Sequence, residues 1–121
     1  MRRGSVAVVG AAETTRLGVI PDMSQIQLHA DAALNAMADA GLRPKDIDGY
    51  ACASETPVQL AHYLGITPTW VDGTAVGGCS FIMHVHHALA AINAGMFGAS
   101  AQATEPARKM TMAQSMVTRR P

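Results

Sequence analysis

The sequence feature that most constrains the fold is an apolar helix that follows a glycine turn. Residues 80–94 read S-F-I-M-H-V-H-H-A-L-A-A-I-N-A and contain no Asp, Glu, Lys or Arg. A helix that is apolar around most of its circumference is stable when buried, between sheet layers or at a subunit contact. The preceding residues, V-D-G-T-A-V-G-G-C, predict a strand and a tight turn that lead into this helix. We therefore expect a layered fold with this helix at its centre.

The elements predicted before this helix alternate between strand and helix. Ser24 is a good N-cap for the first helix, and glycines at 41, 65 and 95 stand where helices are expected to end. In chain order the predicted elements are a strand Ser5–Ala12, a helix Gln25–Ala40, a strand Asp48–Ser54, a helix Pro57–Leu64, a strand Trp70–Thr74 and a helix Ser80–Ala94. This order predicts the α/β class, with mostly parallel short strands.

The residues after Gly95 differ in composition from those before it. Residues 1–95 contain five Lys/Arg and eight Asp/Glu, whereas Met96–Pro121 contains four Lys/Arg and only Glu105 as an acid. We expect a divergent, irregular or disordered tail over residues 96–121, with a weak helix at most over Ala107–Val117. The alternating pattern would continue with another apolar strand here, so we expect residues 1–95 to be a truncated domain.

Composition excludes several classes of function. The formal net charge is zero and only 4% of residues are aromatic, which argues against nucleic-acid or membrane-surface binding. Neither a signal peptide nor an apolar run long enough to cross a membrane is visible. The two cysteines form no disulfide framework, so we expect a cytoplasmic, reducing location. A dinucleotide cofactor is not expected, because G-x-G-x-x-G is absent.

The turn before the apolar helix is the candidate catalytic site. Backbone N–H groups at a helix start and the helix dipole favour a thiolate at Cys79 and a developing oxyanion beside it. Gly77 and Gly78 would let these N–H groups approach a substrate carbonyl oxygen. The alternative interpretation of Cys79 is a small residue buried at a tight turn, and Cys52 is interpreted as a core residue.

The histidines of the same helix do not predict a metal site. His84 and His87 share a helical face, but no acid or cysteine stands at ligand spacing and H-E-x-x-H is absent. We expect His84 to point toward a substrate-binding layer or a dimer contact, and His86 to point elsewhere.

Three segments together resemble the N-terminal part of the thiolase superfamily, and its lipid-transfer, thiolase-like branch in particular. They are V-A-V-V-G-A-A-E-T-T-R-L-G, A-M-A-D-A-G-L with P-K-D-I-D-G-Y, and V-G-G-C-S-F-I-M-H-V-H-H-A-L-A-A-I-N-A-G, within about residues 6–95. The resemblance implies an α/β sandwich of two similar halves that dimerises. It also implies acyl transfer or carbon–carbon cleavage on acyl-CoA thioesters, with no metal and no cofactor besides the coenzyme A of the substrate.

The resemblance also bears on the site residues. In such enzymes the helix corresponding to Ser80–Ala94 begins with an acyl-accepting cysteine, which splits a difficult step into two. Counting back from A-I-N-A-G places that position on Gly78, one residue before Cys79, and one residue turns a side chain by about 100°. The residues that act as bases lie in the other half. The chain is therefore expected to be inactive alone; the alternative is a lipid- or acyl-CoA-binding subunit completed by a partner chain.

Overall fold

The protein forms a mixed sheet with helices on both faces. The computed structural model describes residues 6–53, 55–103 and 114–119. Its strands are β1 (Ala7–Glu13), β2 (Gly49–Ala53), β3 (Trp70–Thr74), β4 (Ala99–Ala103) and β5 (Gln114–Arg119). Its helices are α1 (Gln25–Asp39), α2 (Pro57–Leu64) and α3 (Ser80–Asn93), with single 3-10 turns at Pro44–Asp46 and Gly77–Cys79. The predicted α/β class is confirmed.

The strand order in the sheet is β1-β5-β4-β2-β3. β2 pairs in parallel with both β3 and β4, whereas β5 is antiparallel to both β1 and β4. β1, β2, β3 and β4 therefore all run in one direction. Their carboxyl ends lie at one edge of the sheet, the edge at which open α/β sheets bind ligands.

The first helix begins and ends where local side chains dictate. Ser24 and Gln27 form a reciprocal capping box: the Ser24 hydroxyl accepts from the Gln27 N–H at 3.4 Å, and the Ser24 N–H donates to Gln27 Oε1 at 2.7 Å. After the helix, Gly41 takes a φ of +68°, a conformation that favours glycine. The predicted N-cap and terminating glycine are both confirmed.

Strand β2 is buried on both faces because helices cover both. Tyr50 and Cys52 face the core that α1 and α2 form with the sheet. On the opposite face, a Cβ at Gly49 would lie 2.8 Å from the ring of Phe97, which belongs to the core under α3. Small residues in this strand thus allow close approach from both sides.

The residues after Gly95 correct one prediction. Residues 99–103 and 114–119 are strands of the main sheet rather than an irregular tail. The predicted weak helix is wrong where it overlaps β5, and the rest of it lies outside the described residues, as do residues 104–113 and 120–121. β4 pairs with β2 on one side and β5 on the other, so pairing supplies the order that local propensity does not. The domain boundary at residue 95 stays a prediction.

Candidate active site

The turn between β3 and α3 is built by Gly77 and by Ser80. Gly77 has a φ of +79°, in the left-handed region. The Ser80 side chain is only 1% exposed, and its hydroxyl accepts a hydrogen bond from the Val76 N–H at 3.1 Å. A Cβ placed on Gly78 would meet no atom within 4 Å, so the space beside this residue is open. The buried Ser80 hydroxyl thus fixes the turn on its inner side, whereas the space beside Gly78 is open.

Cys79 lies at the open side of this turn. Its side chain is exposed in this chain, and its role as a nucleophile or as a packing residue stays a prediction. Its thiol donates to the carbonyl oxygen of Val76 at 3.2 Å. The turn follows the carboxyl end of β3, so the thiol lies at the edge of the sheet where the parallel strands end. This position is accessible to a substrate.

His84 occupies a different position from the one expected. The expected direction was toward a substrate-binding layer or a dimer contact, but the side chain is 0% exposed and faces β3. Its Nε2 lies 2.7 Å from the hydroxyl oxygen of Thr74. The five residues from Cys79 to His84 turn the helix by about 140° beyond one full rotation, which points the two side chains apart. The substrate-binding role of His84 stays a prediction.

Burial also sets the charge state of His84. Removal of the imidazole from water disfavours its protonated form and lowers its pKa below the usual value. Asp72 nearby raises this pKa, and His87 lowers it, but burial has the larger effect. The lowered pKa favours the neutral form of His84 in the helix–sheet contact.

A second polar pair lies one turn further along α3. His87 Nδ1 is 2.5 Å from Asp72 Oδ2, and these two side chains are 45% and 20% exposed. Asp72 was not singled out in the sequence. The available signal was the spacing: His84 and His87 are three apart on a helix, and Asp72 and Thr74 are two apart on a strand, so each pair shares a face.

The two remaining residues from the sequence analysis, His86 and Cys52, differ in their exposure. His86 is exposed on α3. Cys52 is buried as expected, and its thiol donates to the carbonyl oxygen of Glu55 at 3.2 Å. Burial raises the pKa of the Cys52 thiol to about 12. Within the described part of the chain, no three metal-ligating side chains come together, and no helix there is long and apolar enough to cross a membrane.

Helix α3 presents apolar side chains on both of its sides. Ala88, Ala91 and Ile92 pack against the sheet. On the other side Ile82 is 54% exposed. Further apolar side chains of the same helix are only half-buried: Phe81, Met83, Val85 and Leu89. An exposed surface of this kind is typical of a contact with another layer or chain.

Comparison with known proteins shows what the sequence and the fold of this chain are similar to. No protein-family model matches the chain. A curated relative, the 17-hydroxy-3-oxo-4-pregnene-20-carboxyl-CoA lyase of Mycobacterium tuberculosis, is 33% identical over 100 residues, which cover 79% of this chain and 26% of the lyase. The solved Ltp2-ChsH2(DUF35) aldolase superposes with a TM-score of 0.75 at 27% identity, over 84% of this chain and 27% of that one.

A third similar protein is named as thiolase-like. The monomeric SCP2-thiolase like protein type 1 of Mycobacterium smegmatis matches with a TM-score of 0.71 at 22% identity, over 86% of this chain and 24% of that one. The chain has a thiolase-like fold. This is the fold that the sequence resemblance to the thiolase superfamily implies. This chain spans about a quarter of the length of each of these three proteins.

Proposed function

We propose that this chain forms the N-terminal part of a thiolase-like enzyme that acts on acyl-CoA thioesters. The observation that carries the proposal is the exposed Cys79, placed at the start of α3 and at the carboxyl edge of the sheet. It stands in a chain that shares 33% identity over 100 residues with a protein named as a carboxyl-CoA lyase. The position of Cys79 and the sequence similarity to this lyase together support a thioester substrate at this turn.

The proposed roles of the residues follow from the geometry of the turn. The open space beside Gly78 leaves room for a thioester carbonyl close to the backbone. In acyl transfer, the Cys79 thiol gives up its proton and its sulfur attacks the carbonyl carbon. The bond from that carbon to the leaving carbon or sulfur then breaks, and the leaving group takes up a proton. Gly77 keeps the backbone in the conformation that this approach requires.

The second reaction proposed for the same substrate is carbon–carbon cleavage without a covalent intermediate. The names of the relatives, a lyase and an aldolase, support cleavage. The sequence register supports it too, because the acyl-accepting position corresponds to Gly78 rather than to Cys79. Two assays on the full-length protein that contains this chain distinguish them: thiolysis in the presence of coenzyme A, and release of a carbonyl fragment in its absence. Cys79→Ser should abolish the first and leave the second if cleavage needs no covalent intermediate.

Binding is tested separately by isothermal titration of the chain with palmitoyl-CoA, with coenzyme A as the control. Saturable binding of palmitoyl-CoA at least tenfold tighter than that of coenzyme A is expected if the thioester lies beside Gly78 and the acyl chain adds contacts there. Equal binding of both compounds, or of neither, would contradict an acyl-CoA site within this chain.

The remaining fold or a partner chain is proposed to cover the apolar side of α3. The exposed Ile82 and the half-buried residues around it support such a contact. The partner named in the Ltp2-ChsH2(DUF35) aldolase is a precedent for a second chain, and a homodimer is the other arrangement. The non-catalytic carrier is not favoured, since the matched relatives are named as enzymes. Both cysteines are free thiols, which supports a cytosolic location.

A further inference from the structure

We propose that helix α1 closes the outer edge of β1 and so prevents a strand of another chain from pairing there. Among the described strands, β1 stands first in the order β1-β5-β4-β2-β3 and has a neighbour on one side only. The N–H and C=O groups on the other side of such a strand are a template for a further strand. Polar side chains of α1 bind these groups instead. The inference is independent of the proposed acyl-CoA site, because none of its residues lies at the turn before α3.

Three side chains of α1 bond to the backbone at alternate residues, in β1 and just after it. The bonds run from the Ala11 N–H to Asp39 Oδ2 at 3.1 Å, from Asn35 Nδ2 to the Glu13 carbonyl oxygen at 3.0 Å, and from the Thr15 N–H to Asp31 Oδ2 at 2.7 Å. In an antiparallel pair, alternate residues direct their N–H and C=O groups away from the partner strand. The three bonds therefore lie on the edge of β1 that β5 does not occupy.

The spacing of the helix residues matches the spacing of the strand residues. Residues four apart share one face of a helix and lie about 6 Å apart along its axis, and residues two apart in a strand are separated by about 6.6 Å. The three helix residues are four apart, the three strand residues are two apart, and the two series run in opposite directions. The chemical groups match as well: carboxylates, which only accept, meet N–H groups, and the amide, which can donate, meets the carbonyl oxygen.

Close packing of α1 on β1 allows these short side chains to reach the edge. A Cβ on Gly10 would collide with the carbonyl oxygen of Ala36, so the two backbones lie directly against each other. The Thr15 hydroxyl donates to Asp31 Oδ1 at 2.9 Å and accepts from Asn35 Nδ2 at 3.1 Å. These additional bonds hold the side chains in the orientation that the backbone bonds require.

Amide hydrogen exchange followed by NMR tests the bonds in solution. We expect the Ala11 and Thr15 amides of the unmodified chain to exchange at least about tenfold more slowly than the same amides in an unstructured peptide. Asp39→Ala should speed exchange at Ala11 by about tenfold, the value of one hydrogen bond, and leave the Ala12 amide, which faces β5, unchanged. Asp39→Asn is the matched control, since it keeps an oxygen that accepts from the Ala11 N–H.

Aggregation kinetics test the protective effect. The double variants Asp31→Ala with Asp39→Ala, and Asp31→Asn with Asp39→Asn, lose the same two negative charges, but only asparagine keeps an acceptor for the backbone N–H. We expect a shorter lag time of thioflavin T fluorescence for the alanine variant than for the asparagine variant. Alanine is also the better helix former, so a weaker α1 cannot be the cause of that difference. Circular dichroism melting curves establish that both variants are folded at the start.

Two results would overturn the proposal. One is exchange of the Ala11 and Thr15 amides at the rate of the unstructured peptide, a comparison that depends on no variant. The other is an equal lag time for the alanine and asparagine double variants, which would show that the bonds from α1 do not protect the edge of β1.

Discussion

Gly77 and Gly78 are adjacent at the start of α3, but only Gly77 has a backbone conformation that requires glycine. Gly77 has a φ of +79°, and a side chain in the left-handed region costs about 1–2 kcal/mol. Gly78 has no positive φ, and a Cβ there meets no atom within 4 Å. Replacing Gly78 by Ala should therefore lower only the entropy of the unfolded chain, a stabilisation of about 0.4–1 kcal/mol.

The entropy effect on the unfolded chain is common to both replacements, so the free energies of unfolding of Gly77→Ala and Gly78→Ala should differ by the left-handed cost alone, about 1–2 kcal/mol. Urea unfolding followed by circular dichroism measures this difference, and each variant is the control for the other because both add the same methyl group. Equal midpoints for the two variants, or a Gly78→Ala variant less stable than Gly77→Ala, would refute the assigned geometry of the turn.

Three further substitutions test the core. The unmodified chain should lose stability as the pH falls below about 6.5, because the unfolded chain binds a proton at His84 that burial excludes from the folded chain. His84→Gln should abolish this loss. Melting curves at several pH values measure it, with His86→Gln as the control. Tyr50→Phe should stabilise by about 1 kcal/mol, since the buried hydroxyl has no hydrogen-bond partner in the described structure. Gly10→Ala should destabilise by about 1–3 kcal/mol in urea, because its Cβ would collide with the Ala36 carbonyl oxygen.

Elements with strong local signals could be predicted from the sequence. Helix α2 has the predicted bounds, Pro57–Leu64, because proline favours its first position and Gly65 ends it. Strand β3 also has the predicted bounds, Trp70–Thr74, and contains the β-branched Val71. Helix α3 ends at Asn93, within one residue of the predicted end. In each case residues close in sequence determine the structure.

Features that depend on distant residues could not be predicted in this way. Strand β4 consists of small and polar residues, and it is ordered by pairing with β2 and β5. The direction of His84 depends on the position of Thr74 across the helix–sheet contact, and the partner of His87 is a residue that no motif marks. These contacts are set by tertiary packing, which overrides local propensity.

The most direct test of the proposed acyl-CoA site is the rate of Cys79 alkylation by iodoacetamide, followed by mass spectrometry. Cys79 is exposed, whereas Cys52 is buried with its thiol pKa raised to about 12, so Cys52 is an internal control that should remain unlabelled. At neutral pH we expect Cys79 to react faster than a model thiol, and palmitoyl-CoA to slow the reaction more than coenzyme A does. A rate no faster than that of the model thiol, unchanged by palmitoyl-CoA, would contradict a thioester site at this turn.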